Sequence, residues 1–216
     1  MSIESKTLKD AIKEVREKSA KRNFNQTIEL IINLKDIDMK QPEGRIQERI
    51  ELPHPLGKKI SVCVLADGDM ALRARRGGAD LVLESSDIQS LSTDKKRQRQ
   101  IAKTMDVFIA SAPLMPLVGR ALGGILGPRG KMPVPVPPAA NIEQEIERQK
   151  RFVLVRARNQ PILQCRIGTE NMSDDEVAEN VQTIVRRVTA RLKKGIKNVD
   201  AIYLKTTMGH PVKVSV

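Results

Sequence analysis

Aromatic residues are nearly absent. The 216-residue chain has no Trp, one Tyr (Tyr203) and three Phe (Phe24, Phe108, Phe152). Stacking single-stranded bases on an aromatic platform needs more rings than this, so recognition has to run through shape, backbone and polar contacts. Histidine is as sparse. His54 and His210 lie far apart, neither with Cys or an acid at ligand spacing, which leaves no metal site and no His-based triad to read. Cys63 and Cys165 sit singly inside the apolar runs VCV and QCRI, and both read as reduced core or strand residues. No apolar run approaches the roughly 20 residues of a membrane span, and the opening MSIESKTLKD lacks a signal-peptide core. A soluble, cytoplasmic protein is expected, with no membrane partner.

Phosphate-cradling motifs are missing too. ILGPRGKM departs from G-x-x-x-x-G-K-[ST] at both decisive places, having Ile125 for glycine and Met132 for Ser/Thr. The turn after residues 60–66 is DGD, not G-x-G-x-x-G. No cofactor is expected. Asp67 and Asp69 flank Gly68 where catalytic acids occur in some α/β folds, but such a pair more commonly caps the next helix or makes an Asx turn.

What the chain has is positive charge: 38 Lys and Arg against 26 Asp and Glu, for a net +12 and a pI near 9.9. That surplus points to a polyanion, either nucleic acid or an anionic membrane surface. Basic runs occur at 95–99 (KKRQR) and near the end of a helical stretch opening at Ser173; a solvated face is the plainer account of each. Gly119–Pro138 is half Gly and Pro, with Arg120, Arg129 and Lys131 its only charges. It reads as a shaped, exposed, positive loop, since glycine favours turns and proline removes a donor. Its Gly127-Pro-Arg-Gly130 is a G-x-x-G, but proline-flanked rather than set between helices as in KH domains, so close approach to a phosphate backbone is the surviving reading.

Periodicity gives the rest. Leu8, Ala11, Ile12 and Val15 mark a helix over 6–19, and alternation from Thr27 marks a strand with Ile28, Leu30, Ile32 and Leu34 inward. A second alternating strand spans Arg45–Leu52. The runs 60–66, 81–84 and 106–111 read as buried parallel strands, separated by helices near 68–77 and 87–104, with a further helix near Ile142–Lys150. Alternation returns at 151–158 and 162–168, read as a hairpin with Arg156, Arg158 and Arg166 exposed. Ser173-Asp-Asp-Glu176 is a capping box for a helix with Val177, Val181, Ile184, Val185, Val188 and Leu192 on one stripe. A last strand is read at 201–206, ending in Thr206, Thr207, Met208 and Gly209. Two hydroxyls and a small residue there suit either an RNA 2′-OH and phosphate surface or plain strand-end propensity. The expected fold class is α/β: an α+β terminal domain from residues 1–60 and 155–216, carrying an inserted doubly wound α/β domain at 61–154, with a hinge near 55–62 and 150–157.

Five segments are similar to one family. NFNQTIELIINLKDID (23–38), RIQERIELPHPLGKK (45–59), LGPRGKMPVP (126–135), IGTENM (167–172) and YLKTTMG (203–209) occur in order along nearly the whole chain. Together they resemble the large-subunit ribosomal protein L-one family, the universal stalk protein, in its archaeal branch. The resemblance implies a discontinuous α+β domain with an inserted Rossmann-like three-layer domain. It also implies a non-enzymatic protein, monomeric when free. Its partners would be large-subunit ribosomal RNA at the mobile stalk beside the tRNA exit site, exit-site tRNA, and its own messenger RNA, whose translation it would repress.

Carried over position by position, the implied RNA-binding residues are Phe24, Thr27, Glu29, Arg45, Gly168, Thr207, Met208 and Gly209; the strand-end hydroxyls add Thr206 as an RNA-binding candidate, and the positive Gly/Pro loop adds Arg129 and Lys131 as candidate contacts of the inserted domain. The chain departs from the family pattern at Asn23 (commonly lysine), Pro55 (commonly glycine) and His210, which displaces a proline by one. The competing readings are a nucleotide-dependent α/β enzyme acting on RNA and a messenger-binding repressor outside the ribosome.

Overall fold

A computed structural model describes residues 5–39, 46–157 and 160–214, so Arg45 and Arg158 fall outside the described residues. The chain divides into two compact units, Met1–Lys58 with Arg151–Val216, and Lys59–Lys150.

In the first unit, α1 (Ser5–Glu17) buries Leu8, Ala11, Ile12 and Val15, the stripe read from the sequence. β1 (Thr27–Leu34) alternates as expected, with Ile28, Leu30, Ile32 and Leu34 buried. β2 (Gln47–Glu51) pairs antiparallel with β7 (Phe152–Arg156), and β8 (Ile162–Thr169) pairs with β1. The expected 151–168 hairpin is therefore corrected: among the described residues its two strands belong to different sheets. Alternation shows that a segment is a half-buried strand but not which edge it joins. Arg156 and Arg166 are half-buried rather than exposed.

The helix α7 (Asp174–Arg191) opens on the predicted capping box, Ser173 with Glu176, and packs against α1 and β8. β9 (Val199–Thr206) and β10 (Val212–Val214) complete a four-stranded antiparallel sheet in the order β10-β9-β1-β8. The N-terminal strand thus lies between two C-terminal strands.

The second unit is a parallel sheet in three layers. Strands β3 (Val62–Leu65), β4 (Leu81–Leu83), β5 (Val107–Ser111) and β6 (Val134–Val136) run in the order β4-β3-β5-β6. Successive residues of β3 point into opposite cores. Cys63 and Leu65 pack with Phe108, Leu122 and Leu126, while Val62 and Val64 pack with Met70, Ile142 and Ile146. The first core lies under α3 (Ser85–Thr93), α4 (Lys95–Thr104) and α5 (Met115–Arg129), the second under α2 (Gly68–Arg76) and α6 (Ile142–Lys150). The single helix expected over 87–104 is two helices. The Asp94 carboxylate accepts from the Lys96 and Arg97 amides at 3.0 and 2.9 Å, starting a new helix there.

The Gly/Pro segment is the main correction. Residues up to Arg129 form the last three turns of α5, not a loop. Val118, Leu122 and Leu126, four apart, are buried, and that stripe outweighs the roughly 1 kcal/mol lost per helical glycine. Pro128 falls only in the final turn, and Gly130 at φ 70° ends the helix, with the Lys131 amide closing onto Leu126 O at 3.0 Å. Pro135 is tolerated because β6 is an edge strand. Lys131 is not a free loop cation: its ammonium donates to the carbonyls of Ala102 (3.1 Å) and Met105 (2.6 Å) at the end of α4.

The acids after β3 hold the fold as well. Asp67 Oδ1 accepts from the Ser85 amide at 2.7 Å, and Asp69 pairs with Arg73 at 2.8 Å. Both cysteines are free and buried, and burial pushes each thiol up to about 12.

Two predictions come from these contacts. Lys131→Met should cost about 1–2 kcal/mol in urea unfolding, by stranding two helix-terminal carbonyls, whereas Arg129→Ala should stay within about 0.5 kcal/mol. Asp80 accepts from the Val62 amide at 2.9 Å and faces Lys59 at 3.1 Å, which together hold its carboxyl below the usual range. A lowered folded-state value stabilises fully above the unfolded value near about 4 and fades as pH falls through the folded one. The stability deficit of Asp80→Ala measured at pH 7 should therefore narrow progressively below about pH 4.

Candidate nucleic-acid interface

The two ends of the chain meet at one end of the antiparallel sheet. The Thr207 amide donates to Thr27 O at 3.0 Å, the Thr27 amide donates to Thr207 Oγ1 at 3.1 Å, and the Thr207 hydroxyl returns a bond to Thr27 O at 3.3 Å. This closed exchange joins residues 180 apart in sequence. It also uses the Thr207 hydroxyl hydrogen within the protein, leaving an acceptor lone pair for a donor such as a ribose 2′-OH. Beside the junction, Phe24 and Met208 are two of the large apolar side chains left most open, at 51% and 61% exposure.

Strand period divides the neighbouring residues between two faces. Glu29 lies opposite Lys205 on one side and Arg166 on the other, forming a charged row on the face away from α1 and α7. Lys205 Nζ sits 3.7 Å from Glu29 Oε2 and donates to Thr207 O at 3.0 Å, so Glu29 orders a basic neighbour that in turn braces the turn. Thr206 and Gly168 both lie opposite Ile28, on the buried face. The Thr206 hydroxyl is 2.9 Å from Ser19 Oγ. At Gly168 an added Cβ would come within 2.8 Å of Met172 Sδ.

Gly209 is required for a similar reason. Its amide donates to Thr206 O at 3.1 Å, and a Cβ there would fall 2.3 Å from Thr206 Oγ1. The turn is thus held close against a hydroxyl that Ser19 already fixes.

No group of three or more His, Cys, Asp or Glu among the described residues could hold a metal, and no described helix is long and apolar enough to cross a membrane. His54 is spent on Glu179, at 2.7 Å.

Comparison with known sequences bears directly on this surface. The sequence profile of the ribosomal protein L1p/L10e family matches residues 15–210, a span that includes both halves of the junction. The chain belongs to that family. Among L1 relatives, it is 43% identical over 215 residues to the large ribosomal subunit protein uL1 of Pyrococcus abyssi, covering 99% of this chain and 98% of the relative. It is 45% identical over 205 residues to that of Methanocella arvoryzae (95% and 96%) and 44% identical over 211 residues to that of Thermofilum pendens (97% and 93%). These are archaeal relatives, so the chain falls in the archaeal branch of the L1 family, and their names describe a ribosomal component, not an enzyme.

Of the positions carried over from the L1 pattern, the structure brings Phe24, Thr27, Glu29, Thr207, Met208 and Gly209 to the junction. It turns Thr206 and Gly168 inward as supports, and Arg45 lies outside the described residues. Arg129 is exposed at the end of α5 in the second unit. Sequence reasoning missed Ser19, Gln26 and Glu170, because a polar residue just outside a periodic segment carries no pattern until the strands are in register.

Gly209→Ala should therefore destabilise the first unit by about 1–3 kcal/mol through overpacking. Gly124→Ala, where nothing lies within 4 Å of the added methyl on an exposed helical site, should stabilise by roughly 0.5–1 kcal/mol. Paired urea titrations check both signs.

Proposed function

We propose that this L1-family chain is a non-enzymatic structural protein of the large ribosomal subunit. In this reading it binds ribosomal RNA at the mobile stalk beside the tRNA exit site, in the cytoplasm, through the junction of Phe24–Glu29 with Thr207–Gly209. The same surface binds a similar element in its own messenger RNA and represses translation, and the inserted domain, on which Arg129 is exposed at the end of α5, contacts exit-site tRNA. The observation that carries the reading is the junction: two chain ends held in one geometry by the Thr27–Thr207 exchange, with Phe24 and Met208 left exposed on it.

The chemistry of the junction fits RNA. Fixed backbone, one acceptor hydroxyl and two apolar side chains suit a ribose-lined minor groove, which is recognised by shape and 2′-OH contacts. The net charge of +12 supplies attraction without sequence preference. Specificity has to come from the junction, and affinity at low salt largely from the charge.

The test is binding to the ribosomal stalk RNA fragment at several salt concentrations, with a scrambled hairpin as competitor. A strong preference for the stalk that persists at high salt is expected. Thr207→Ala with Met208→Ala should weaken stalk binding by about 2–4 kcal/mol, whereas Lys95→Ala with Lys96→Ala should cost under about 1 kcal/mol and lower the salt slope for both RNAs by up to about two. Equal losses from the two pairs would withdraw the site, and equal, steeply salt-sensitive binding of both RNAs by the unaltered chain would withdraw the function.

A further inference from the structure

Gln26 is 1% exposed, one residue before β1, and its side chain touches three separate segments. Its Oε1 accepts from the Met208 amide at 3.2 Å. Its Nε2 donates to Ser19 Oγ at 3.0 Å and Ala20 O at 3.1 Å, with Glu170 Oε2 at 3.4 Å. The orientation of the amide is not arbitrary. Turned over, it would set an NH2 group against the Met208 N–H and an oxygen against Ala20 O, losing both bonds. Its backbone is pinned as well, the amide donating to Glu170 Oε1 at 3.1 Å and the carbonyl accepting from the Glu170 amide at 3.0 Å.

The partners of Gln26 are fixed in their turn. Ser19 Oγ also contacts Thr206 Oγ1 at 2.9 Å. The Arg16 guanidinium donates to Glu170 O at 2.6 Å and Met172 O at 2.5 Å, and pairs with Asp174 at 3.0 Å. The result is a polar network beneath the exposed turn, tying the end of α1, the start of β1, the β8–α7 turn and the β9–β10 turn together, with Arg16 Nε held to Asp174 by an ion pair rather than a hydrogen bond.

We infer that Gln26 is a positioning residue for RNA recognition, one that pre-sets the Met208–Gly209 turn by holding the Met208 amide without itself touching RNA. The other bonds that shape the turn come from Thr27, Thr206 and Lys205, all on the two strands it adjoins. Among the described residues Gln26 links the end of α1 and the β8–α7 turn directly to the Met208 amide, while Ser19 reaches the same turn through Thr206. A turn held before RNA arrives loses little freedom on binding, and a buried network fixes one geometry where an apolar contact would tolerate several. This inference rests on the proposed RNA-binding function for its use, but not for its geometry.

The test compares Gln26→Met, which keeps the volume and removes the polar atoms, with Ser19→Ala, a milder loss that takes away one partner of Gln26. Asn180→Ala serves as the control: Asn180 is 0% exposed and also tethers segments of the first unit, bonding His54 and Ile167 away from the turn. Two quantities are read for each full-length variant: amide hydrogen exchange at Met208, and the ratio of affinities for the stalk fragment and the scrambled hairpin.

Gln26→Met should speed exchange at Met208 at least about tenfold and reduce the affinity ratio by on the order of tenfold, the equivalent of one lost buried hydrogen bond. The salt slope should not change, and Ser19→Ala should shift both readings the same way by less. Asn180→Ala should leave both as in the unaltered chain. Unchanged exchange at Met208 in both Gln26→Met and Ser19→Ala overturns the inference, as does faster exchange with an unchanged affinity ratio. If the unaltered chain shows no preference for the stalk, the proposed function falls, while the exchange measurement still decides whether Gln26 sets the turn.

Discussion

Everything in the terminal unit depends on β1 being hydrogen-bonded on both sides by strands from the far end of the chain. Its register with β8 runs from Thr27↔Thr169 to Asn33↔Ile162, and with β9 from Ile28↔Thr206 to Leu34↔Val199. A strand so placed buries Ile28, Leu30, Ile32 and Leu34 only when the C-terminal segment is in position. β2 and β7, the strands that flank the second unit in sequence, also pair with each other. Closing a loop of this length costs only slowly growing entropy, and the hydrogen-bonded strand pairs on either side offset it.

The candidate interface is a by-product of that pairing. Thr27 and Thr207 meet because they stand one step beyond the last ladder pair, Ile28 with Thr206, and the exposed residues stand where the sheet ends. Because the period of a strand is two, one face carries the Lys205–Glu29–Arg166 row and the other presses Thr206 and Gly168 against Ser19 and Met172. A run of residues adjacent in sequence is thereby split into those that can meet a partner and those that hold the others in place. Gln26 and Thr206, buried under the turn, are paired through Ser19 and the Met208 amide, as polar groups removed from water commonly are.

Much of this was legible beforehand. The apolar stripes of α1 and α7, the capping box at Ser173, the alternation of β1 and the continuous apolar strands of the inserted unit follow from local periodicity and end signals, which need no tertiary partner. Thr206 is in phase with the buried Leu204 and Ile202, so the expectation of an RNA-facing side chain there overlooked the strand period. The segment 119–138 was misread because composition was weighed above spacing: five glycines and five prolines signal a loop, yet Val118, Leu122 and Leu126 keep the helical interval. Lys131, counted as a loop cation, is drawn to the carbonyls that end α4, a partner no local pattern reveals.

By itself the sequence determined most of the helical and strand segments, the two-style division of the chain, its positive surplus and its poverty of aromatic rings. Those properties reside in single residues or in short intervals along the chain. Strand partners, the separation of Arg156 and Arg166 into different sheets, and the burial of Gln26 under Met208 were decided only by tertiary structure. Each depends on which of several similar edges a strand joins, and the free energy that selects one edge is summed over contacts between residues more than a hundred positions apart.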